Sequence, residues 1–251
     1  MAVSSYANIS LLWGDQGGGK STLGTALAID DAHEHITGLM SPSGNEIVKA
    51  STLTKEDVRA FINAGMAPNK LKYARIYKGN ESKIVKIPSD YIVLSSTKIF
   101  ANYHIYGVKA VLMSMADVVE YMDTPLFNDS WILLDEGGGV KARQSMEGIG
   151  KLAADFYMTI RKRNARLVEM TQYARMMDVY LRLAGTTRIN CSYDEDTFMI
   201  TCEVSKRKEP TYTFEFYAPK YWKYFDTNDI IETPQYRKDR VLAEMHKVAV
   251  A

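Results

Sequence analysis

Short apolar runs alternate with helix-forming segments along most of the chain. Residues 9–13 (ISLLW) form an apolar run that stops at a glycine cluster, and residues 20–31 follow with the composition of a helix. Further apolar runs occupy residues 108–113, 131–134, 166–170 and 187–193, and further helical patterns occupy residues 116–122, 150–163 and 179–183. Strands that alternate with helices predict a parallel sheet with right-handed crossovers.

Two segments depart from this alternation. Residues 38–90 have a weaker pattern, with turn signals and one short helix predicted near residues 55–64, so we expect an insertion on the surface. Residues 197–205 and 211–217 are rich in β-forming residues and predict a hairpin. The expected organisation is one domain over residues 1–251, with the insertion at 38–90 and a β-hairpin with a C-terminal extension at 197–251.

Composition narrows the class of protein. Apolar residues make up 46% and charged residues 24% of 251 positions, and the net charge is +1, so any nucleic-acid contact would need a local basic patch. No apolar run approaches the roughly 18 residues that cross a bilayer, and the N-terminus lacks the layout of a signal peptide, so we expect an intracellular protein. Cys191 and Cys202 are expected to be buried thiols, and His33 and His35 to be surface residues.

A complete phosphate-binding motif follows the first predicted strand. Residues 14–21 (GDQGGGKS) match G-x-x-x-x-G-K-[ST], in which glycines let backbone N–H groups approach phosphate oxygens. Lys20 can reach the β- and γ-phosphates, Ser21 can ligate Mg²⁺, and Thr22 is expected beside the α-phosphate. The predicted nucleotide-binding residues are Gly14, Gln16, Gly17, Gly18, Gly19, Lys20, Ser21 and Thr22. A plain glycine-rich turn is the weaker interpretation, because a strand precedes the motif and a helix follows it.

An acidic pair follows a second buried strand. Residues 132–134 (ILL) deliver Asp135 to the carboxyl end of the predicted sheet, where α/β proteins bind ligands, and Asp135 is expected in the Mg²⁺ shell. Glu136 is placed to accept a proton from, or to orient, the water that attacks the γ-phosphate. The alternative is a solvated strand end that leads into the three glycines at 137–139.

A third strand and a basic segment add further candidates. The strand at residues 166–171 leads to Gln172, whose amide can hydrogen-bond the γ-phosphate or the attacking water. Residues 157–190 hold seven Lys or Arg, Arg161 and Arg163 among them, against two acidic residues, so this segment is +5 and the rest of the chain is −4. The arginines could complete the active site of a neighbouring subunit, contact a nucleic-acid backbone, or form a solvated helix face.

These motifs together resemble those of the HerA/FtsK superfamily of P-loop ATPases, and within it the genome-packaging ATPases of tailless DNA viruses with their archaeal and Zot-like relatives. The matching residues are 14–22, 132–136, 161–164 leading to 171–172, and 179–182, with further landmarks at 101–104 and 224–228. The resemblance implies a RecA/ASCE-like α/β fold with a mainly parallel central sheet, flanking helices and, in this chain, a C-terminal antiparallel β-hairpin. It also implies ATP and Mg²⁺ as ligands and Gln172 as a sensor. It further implies an arginine acting in trans within a pentameric or hexameric ring, with Arg163 the first candidate and Arg161 and Arg166 behind it.

Two classes of function remain open from the sequence. The leading hypothesis is an ATP-hydrolysing motor that moves double-stranded DNA into a viral capsid, in the host cytoplasm or on the virion, with a capsid or membrane-vertex protein as partner. The rival hypothesis is a nucleotide-dependent switch, or an assembly or secretion ATPase, that acts on a protein partner. Phage secretion is disfavoured because filamentous-phage Zot proteins carry a membrane-spanning helix that has no counterpart here. Phosphate transfer to a small molecule is disfavoured because Glu136 suits activation of water.

Overall fold

The computed structural model describes residues 9–113, 117–118, 121, 124–135, 160–173, 179–206 and 209–226. Its strands are β1 (Ile9–Trp13), β2 (Ile36–Met40), β3 (Ile47–Ser51), β4 (Tyr73–Lys78), β5 (Glu81–Lys86), β6 (Ile92–Ser95), β7 (Lys98–Ala101), β8 (Ala110–Leu112), β9 (Ser130–Asp135), β10 (Arg166–Thr171), β11 (Thr187–Asp194), β12 (Met199–Lys206) and β13 (Tyr212–Tyr217). Its helices are α1 (Lys20–Glu34), α2 (Lys55–Asn63) and α3 (Val179–Ala184), with 3₁₀ turns at Pro125–Phe127, Ile160–Arg163, Ala218–Lys220 and Trp222–Tyr224. The predicted helices at 116–122 and 150–163 lie largely outside the described residues. Within those residues, no helix is both long enough and apolar enough to span a membrane.

An eight-stranded sheet runs through the described chain in the order β13-β12-β11-β1-β10-β9-β7-β8. The strands from β11 to β8 are parallel, and β12 and β13 continue the sheet as an antiparallel hairpin. These findings confirm the predicted α/β class, the mainly parallel sheet and the C-terminal hairpin. Since β10 lies between β1 and β9, the strand before the glycine loop and the strand that ends at Asp135 are not neighbours, as in RecA/ASCE-like P-loop folds.

β7 is a strand that the apolar pattern does not predict. Its four residues (KIFA) are too few to give a clear period of two, although three of them are buried. β7 pairs in parallel with β9, and Ala101 stands opposite Leu133. This register brings the residue after β7, Asn102, beside the end of β9.

Residues 36–95 form a second sheet, which is antiparallel and has the order β5-β4-β3-β2-β6. From the segment 38–90 the sequence predicts α2 alone, whereas the structure also has β3, β4 and β5 there. The reason is visible in β5, which is exposed at four of its six positions. A strand with solvent on both faces has no alternation of apolar and polar residues by which to detect it.

α1 packs against both sheets. Twelve of its fifteen residues are buried, including His33, which the sequence analysis wrongly placed on the surface, whereas His35 just beyond the helix is exposed. One hydrophobic core joins Leu27 of α1 to Leu12 of β1 and to Val93 of β6. Burial that extends around the helix, polar side chains such as Thr25 included, is typical of a helix covered on more than one side. Residues 36–95 therefore cover the side of α1 that the central sheet leaves open.

The far end of α1 is fixed by the buried carboxylate of Asp31. Its Oδ2 accepts hydrogen bonds from Oγ1 of Thr97 (3.0 Å) and from Nε1 of Trp131 (3.0 Å). The same oxygen pairs with Nη1 of Arg166 at 3.1 Å. These partners lie at or just before the first residues of β7, β9 and β10, so one carboxylate links α1 to three neighbouring strands at the amino edge of the parallel sheet.

Candidate nucleotide-binding site

The loop between β1 and α1 has backbone angles that favour glycine. Positive φ angles occur at Gly14 (147°), Gly17 (77°) and Gly19 (85°). A Cβ on Gly18 would lie 2.9 Å from the carbonyl oxygen of Asp15, to which the N–H of Gly18 donates a hydrogen bond of 2.9 Å. The loop is therefore a tight turn that is exposed at residues 15–17, Gln16 among them, and buried at Gly18.

β11 and β12 support this loop. The carbonyl group of Cys191 on β11 lies so close to Gly14 that any Cβ there would collide with it, and a Cβ on Gly19 would lie only 2.5 Å from the side chain of Ile200 on β12. Cys191 and Cys202 stand opposite each other on the two strands as buried free thiols, which confirms the prediction for both. The antiparallel hairpin thus touches the loop directly.

The first turn of α1 is open to a ligand. In the described part of the chain no side chain caps this N-terminus, Gly19 before it is left-handed, and the first turn has no acidic residue. α2 differs, because Thr54 and Asp57 form a reciprocal capping box at its start. The first N–H groups of α1 and the positive end of its dipole therefore face the loop, as binding of an anion requires.

Three predicted side chains meet beside the loop. The ammonium group of Lys20, which is 5% exposed, donates to the carbonyl oxygens of Gly14 (3.0 Å) and Asp15 (2.8 Å). The hydroxyl of Ser21, in the first turn of α1, donates to Oδ2 of Asp135 at the end of β9. A hydroxyl and a carboxylate from distant parts of the sequence are thus in direct contact, one residue along α1 from the lysine that binds the loop.

Asn102 holds the end of β9 in place. Its Nδ2 donates to the backbone carbonyl of Asp135 (2.7 Å), and its Oδ1 accepts from the N–H of Asp135 (2.8 Å). The neighbouring Tyr103 hydroxyl is 2.9 Å from Oγ1 of Thr25 in α1, and burial raises its pKa far above the ordinary value, so it stays neutral. Asn102 and Tyr103 belong to the landmark at residues 101–104, but the sequence did not predict these contacts. The available signal was a polar residue that directly follows a short apolar run.

Gln172 follows β10 at the same edge of the sheet. Because β10 is parallel to β1 and adjacent to it, Gln172 comes level with the start of the loop. Thr22 is buried in the first turn of α1. Glu136 lies outside the described residues. The catalytic roles of Glu136 and Gln172 stay predictions.

The predicted arginines lie at the opposite edge of the sheet. Arg163 comes shortly before β10, and its guanidinium donates to the backbone carbonyl of Thr124. Arg166, the first residue of β10, forms an ion pair with Asp31 of α1, and its guanidinium carbon lies 5.0 Å from the centre of the Trp131 ring. The side chain of Arg161 is outside the described part of the chain. A six-residue strand spans about 16 Å, so Arg163 lies too far away to touch the loop of its own chain.

The fold and the loop define a P-loop NTPase fold of the α/β class. The described residues also fit the ligands that the motif implies. An uncapped helix and an ammonium group suit the phosphates of a nucleotide, while a serine hydroxyl beside a carboxylate offers the oxygen ligands that Mg²⁺ prefers.

A scan of protein-family models finds no match to this chain, and a search of curated proteins finds none either. Similar solved structures include the N-terminal domain of zonular occludens toxin from Neisseria meningitidis, at 13% identity and a TM-score of 0.49, with 88% of this chain and 100% of that chain covered. They also include the RadB recombinase (10% identity, 83% and 86% covered, TM-score 0.42) and a KaiC-like protein of Pyrococcus horikoshii (9% identity, 83% and 84% covered, TM-score 0.40). All three scores are below 0.5, so these structures say nothing of what this chain binds.

Proposed function

We propose that the chain binds a nucleoside triphosphate with Mg²⁺ at residues 14–22 and hydrolyses it. The observation that carries this proposal is the contact between Ser21 and Asp135 beside Lys20, next to an uncapped helix start. A glycine turn that merely connected a strand to a helix would need none of these three side chains. Their convergence suits a phosphate chain with a divalent cation.

Binding is divided among four side chains in this proposal. Lys20 exchanges its loop carbonyl partners for oxygens of the β- and γ-phosphates, and Thr22 lies beside the α-phosphate. Ser21 and Asp135 hold Mg²⁺. The bound cation supplies neutralisation of charge on the β- and γ-phosphate oxygens.

Hydrolysis is assigned to Glu136 and Gln172. Glu136 follows the residue that Asn102 fixes at the end of β9, and it accepts a proton from the attacking water. Gln172, directly after β10, the strand that lies between β1 and β9, hydrogen-bonds the γ-phosphate or that water.

Two substitutions separate binding from hydrolysis. Lys20→Ala is expected to lose binding of Mg-ATP, because the cation next to the phosphates is removed. Glu136→Gln is expected to bind as the parent does but to stop turnover, because an amide of the same size cannot accept the proton. Calorimetry measures binding, release of phosphate measures turnover, and Lys70→Ala, which removes an exposed lysine paired with Glu34, is the control. Parental turnover in Lys20→Ala would overturn the proposal, and parental turnover in Glu136→Gln would assign the base elsewhere.

We infer further that the nucleotide is ATP and that its hydrolysis moves double-stranded DNA through a ring of five or six chains, as in packaging of a viral genome in a host cell. The motif spacing that resembles the HerA/FtsK superfamily supports this finer proposal. The distribution of charge supports it as well. Lys162 and Arg188 of the basic segment at residues 157–190 are exposed, and residues 38–90 hold nine Lys or Arg against five acidic residues. Two basic regions are thus available to a DNA backbone.

A protein partner is the second candidate, as for a nucleotide-dependent switch or an assembly or secretion ATPase. Residues 38–90 carry three large apolar side chains that are more than half exposed, namely Ile47, Ile62 and Met66. In this second candidate a protein partner covers these three side chains.

Stimulation by DNA distinguishes the two candidates. The rate of ATP hydrolysis is measured with and without double-stranded DNA, and native mass is measured with nucleotide present. A motor should form rings and hydrolyse ATP faster on DNA, with a stimulation that falls as salt rises. If the rate of ATP hydrolysis at low salt is the same with and without DNA, the motor is rejected and the protein partner becomes the better candidate.

A further inference from the structure

A cavity of about 590 Å³ adjoins the phosphate-binding loop. Gly17 and Thr22 line it on the side of the loop, and aromatic residues line it elsewhere, among them Tyr193 of β11 and Trp222 after β13. Its volume falls within the roughly 300–1,000 Å³ that is usual for small-molecule sites, and its lining is mainly apolar with a few polar groups, Lys223 among them.

The wall of this cavity is attached to the loop through β11 and β12. Tyr193 stands opposite Ile200 in the register of the two strands. Ile200 lines the cavity and also lies against Gly19, and Cys191, two residues before Tyr193, lies against Gly14. The aromatic wall and the phosphate loop are therefore held at a fixed relative position by one hairpin.

Trp222 differs from the tyrosines on either side of it. Tyr221 and Tyr224 are buried, and the hydroxyl of Tyr221 donates to Asp30 at 2.9 Å, so both belong to the packing of the fold. Trp222 is 42% exposed, and its ring contacts Tyr193 edge to face at 6.5 Å. A large indole that is fixed by its neighbours yet open to a cavity is suited to stack on a flat ligand.

We propose that this cavity holds the base and ribose of the nucleoside triphosphate, with the base stacked on the ring of Trp222 and in edge contact with Tyr193. The proposal rests on the proposed nucleotide binding at the loop. Thr22 joins the two parts, because it lines the cavity and lies at the α-phosphate end of the phosphate chain. Aromatic side chains stack on any base, so affinity for the base comes mainly from the ring contact.

Two ligands with the same phosphates test this proposal separately from the proposed function. Binding of Mg-ATP and of Mg-tripolyphosphate, which has no base, is measured by calorimetry for the parent protein, Trp222→Leu, Tyr193→Leu and Lys20→Ala. Trp222→Leu and Tyr193→Leu should each weaken ATP about 5- to 100-fold and leave tripolyphosphate unchanged. Lys20→Ala should weaken the binding of both ligands.

Two further variants are controls. Trp222→Phe, which keeps a ring, should retain most of the affinity for ATP, and Tyr212→Leu, which removes an exposed ring outside the cavity lining, should bind ATP as the parent does.

Fluorescence gives a second readout. The chain has three tryptophans, and Trp222 alone among them lines the described cavity, so the change in emission on binding ATP should be smaller in Trp222→Leu, where Trp13 before the loop remains, than in the parent. Parental ATP affinity in both Trp222→Leu and Tyr193→Leu would overturn the cavity proposal while leaving the loop proposal intact. Absence of binding of either ligand to the parent protein would overturn both.

Discussion

Gly14 is the residue at which the loop and the sheet approach each other most closely. Its φ angle of 147° is one that glycine adopts readily and other residues adopt rarely. The carbonyl group of Cys191 also fills the space where a side chain would begin. The motif requires a glycine at this position, and the structure adds the reason, which is the approach of a strand that lies far away in sequence.

We expect Gly14→Ala to lower stability by about 2–5 kcal/mol, because the substitution combines an unfavourable φ angle with a steric clash against backbone. Binding of Mg-ATP should fall with it, since relief of the clash moves the loop. The matched control is Gly65→Ala, where φ is 70° but no atom lies within 4 Å of the added Cβ, and about 1 kcal/mol is expected. Urea unfolding measures both variants, and equal losses would contradict the role given to Cys191.

Residues of the site differ in how well the sequence reveals them. Lys20, Ser21 and Asp135 could be predicted because phosphate and Mg²⁺ binding require fixed residue types at fixed spacing beside a strand. The role of Asn102 could not, because it arises from the register of β7 against β9, which is a long-range property. Trp222 is another such case, since nothing local indicates that it shares a cavity with the loop.

At the scale of elements, α1 links the two sheets and the two edges of the parallel sheet. The sequence predicted its existence and its start, because the motif and the apolar residues that follow are local signals. Its environment was not predicted, because the strands that cover it, such as β5, have solvent on both faces and little periodicity. The buried Asp31 near its end is a second property that only tertiary contacts reveal.

We expect Asp31→Asn to lower the free energy of unfolding by about 2–4 kcal/mol. The change leaves the guanidinium of Arg166 without its charged partner in a largely buried place, where loss of one member of an ion pair is costly. Glu34→Gln is the control in the same helix, because its ion pair with Lys70 is exposed and should contribute under about 1 kcal/mol. Similar losses for the two variants in chemical unfolding would show that Asp31 is not the link assigned to it.

The buried His33 of α1 makes the stability of the fold depend on pH. Burial lowers the pKa of His33 to about 4 from an ordinary value of 6.5, with Lys223 and Lys220 acting in the same direction and the nearby backbone of Lys70 opposing it in part. Between these two values the unfolded chain binds the proton more readily than the folded chain does. Stability therefore decreases as pH falls from about 6.5 towards 4, by up to about 3 kcal/mol from this residue.

We expect His33→Leu to remove that part of the pH dependence. The difference in unfolding free energy between the parent and His33→Leu should shift in favour of the variant as pH falls from 7 to 4.5, because leucine has no proton to bind. His35→Gln, at an exposed position just beyond α1, is the control and should follow the parent. Parallel curves for the parent and His33→Leu would show that the buried imidazole is not the source.

At the scale of the whole molecule, the described chemistry divides between the two edges of the parallel sheet. The loop, Asp135 and Gln172 lie at the carboxyl edge, and Arg163 and Arg166 lie at the amino edge. Within one chain Arg163 and Arg166 do not reach the loop. Either of them could act in hydrolysis only if another chain brought its amino edge to the loop.

We expect Arg163, with Arg161 and Arg166 as the next candidates, to complete the site of an adjacent chain. Loss of an arginine that acts in trans should reduce turnover about 10³- to 10⁵-fold, whereas loss of a surface arginine should change little. The structure offers a competing role for Arg163, because its guanidinium donates to the carbonyl of Thr124. Thermal unfolding must therefore first show that Arg163→Ala remains folded.

The test mixes Arg163→Ala with Lys20→Ala, each of which is expected to be inactive alone. Mixed rings contain some sites with an intact loop from one chain and an intact arginine from the other. Recovered hydrolysis would support the shared site. Absence of activity in assemblies whose native mass shows both chains, or full activity of the arginine variants alone, would reject it.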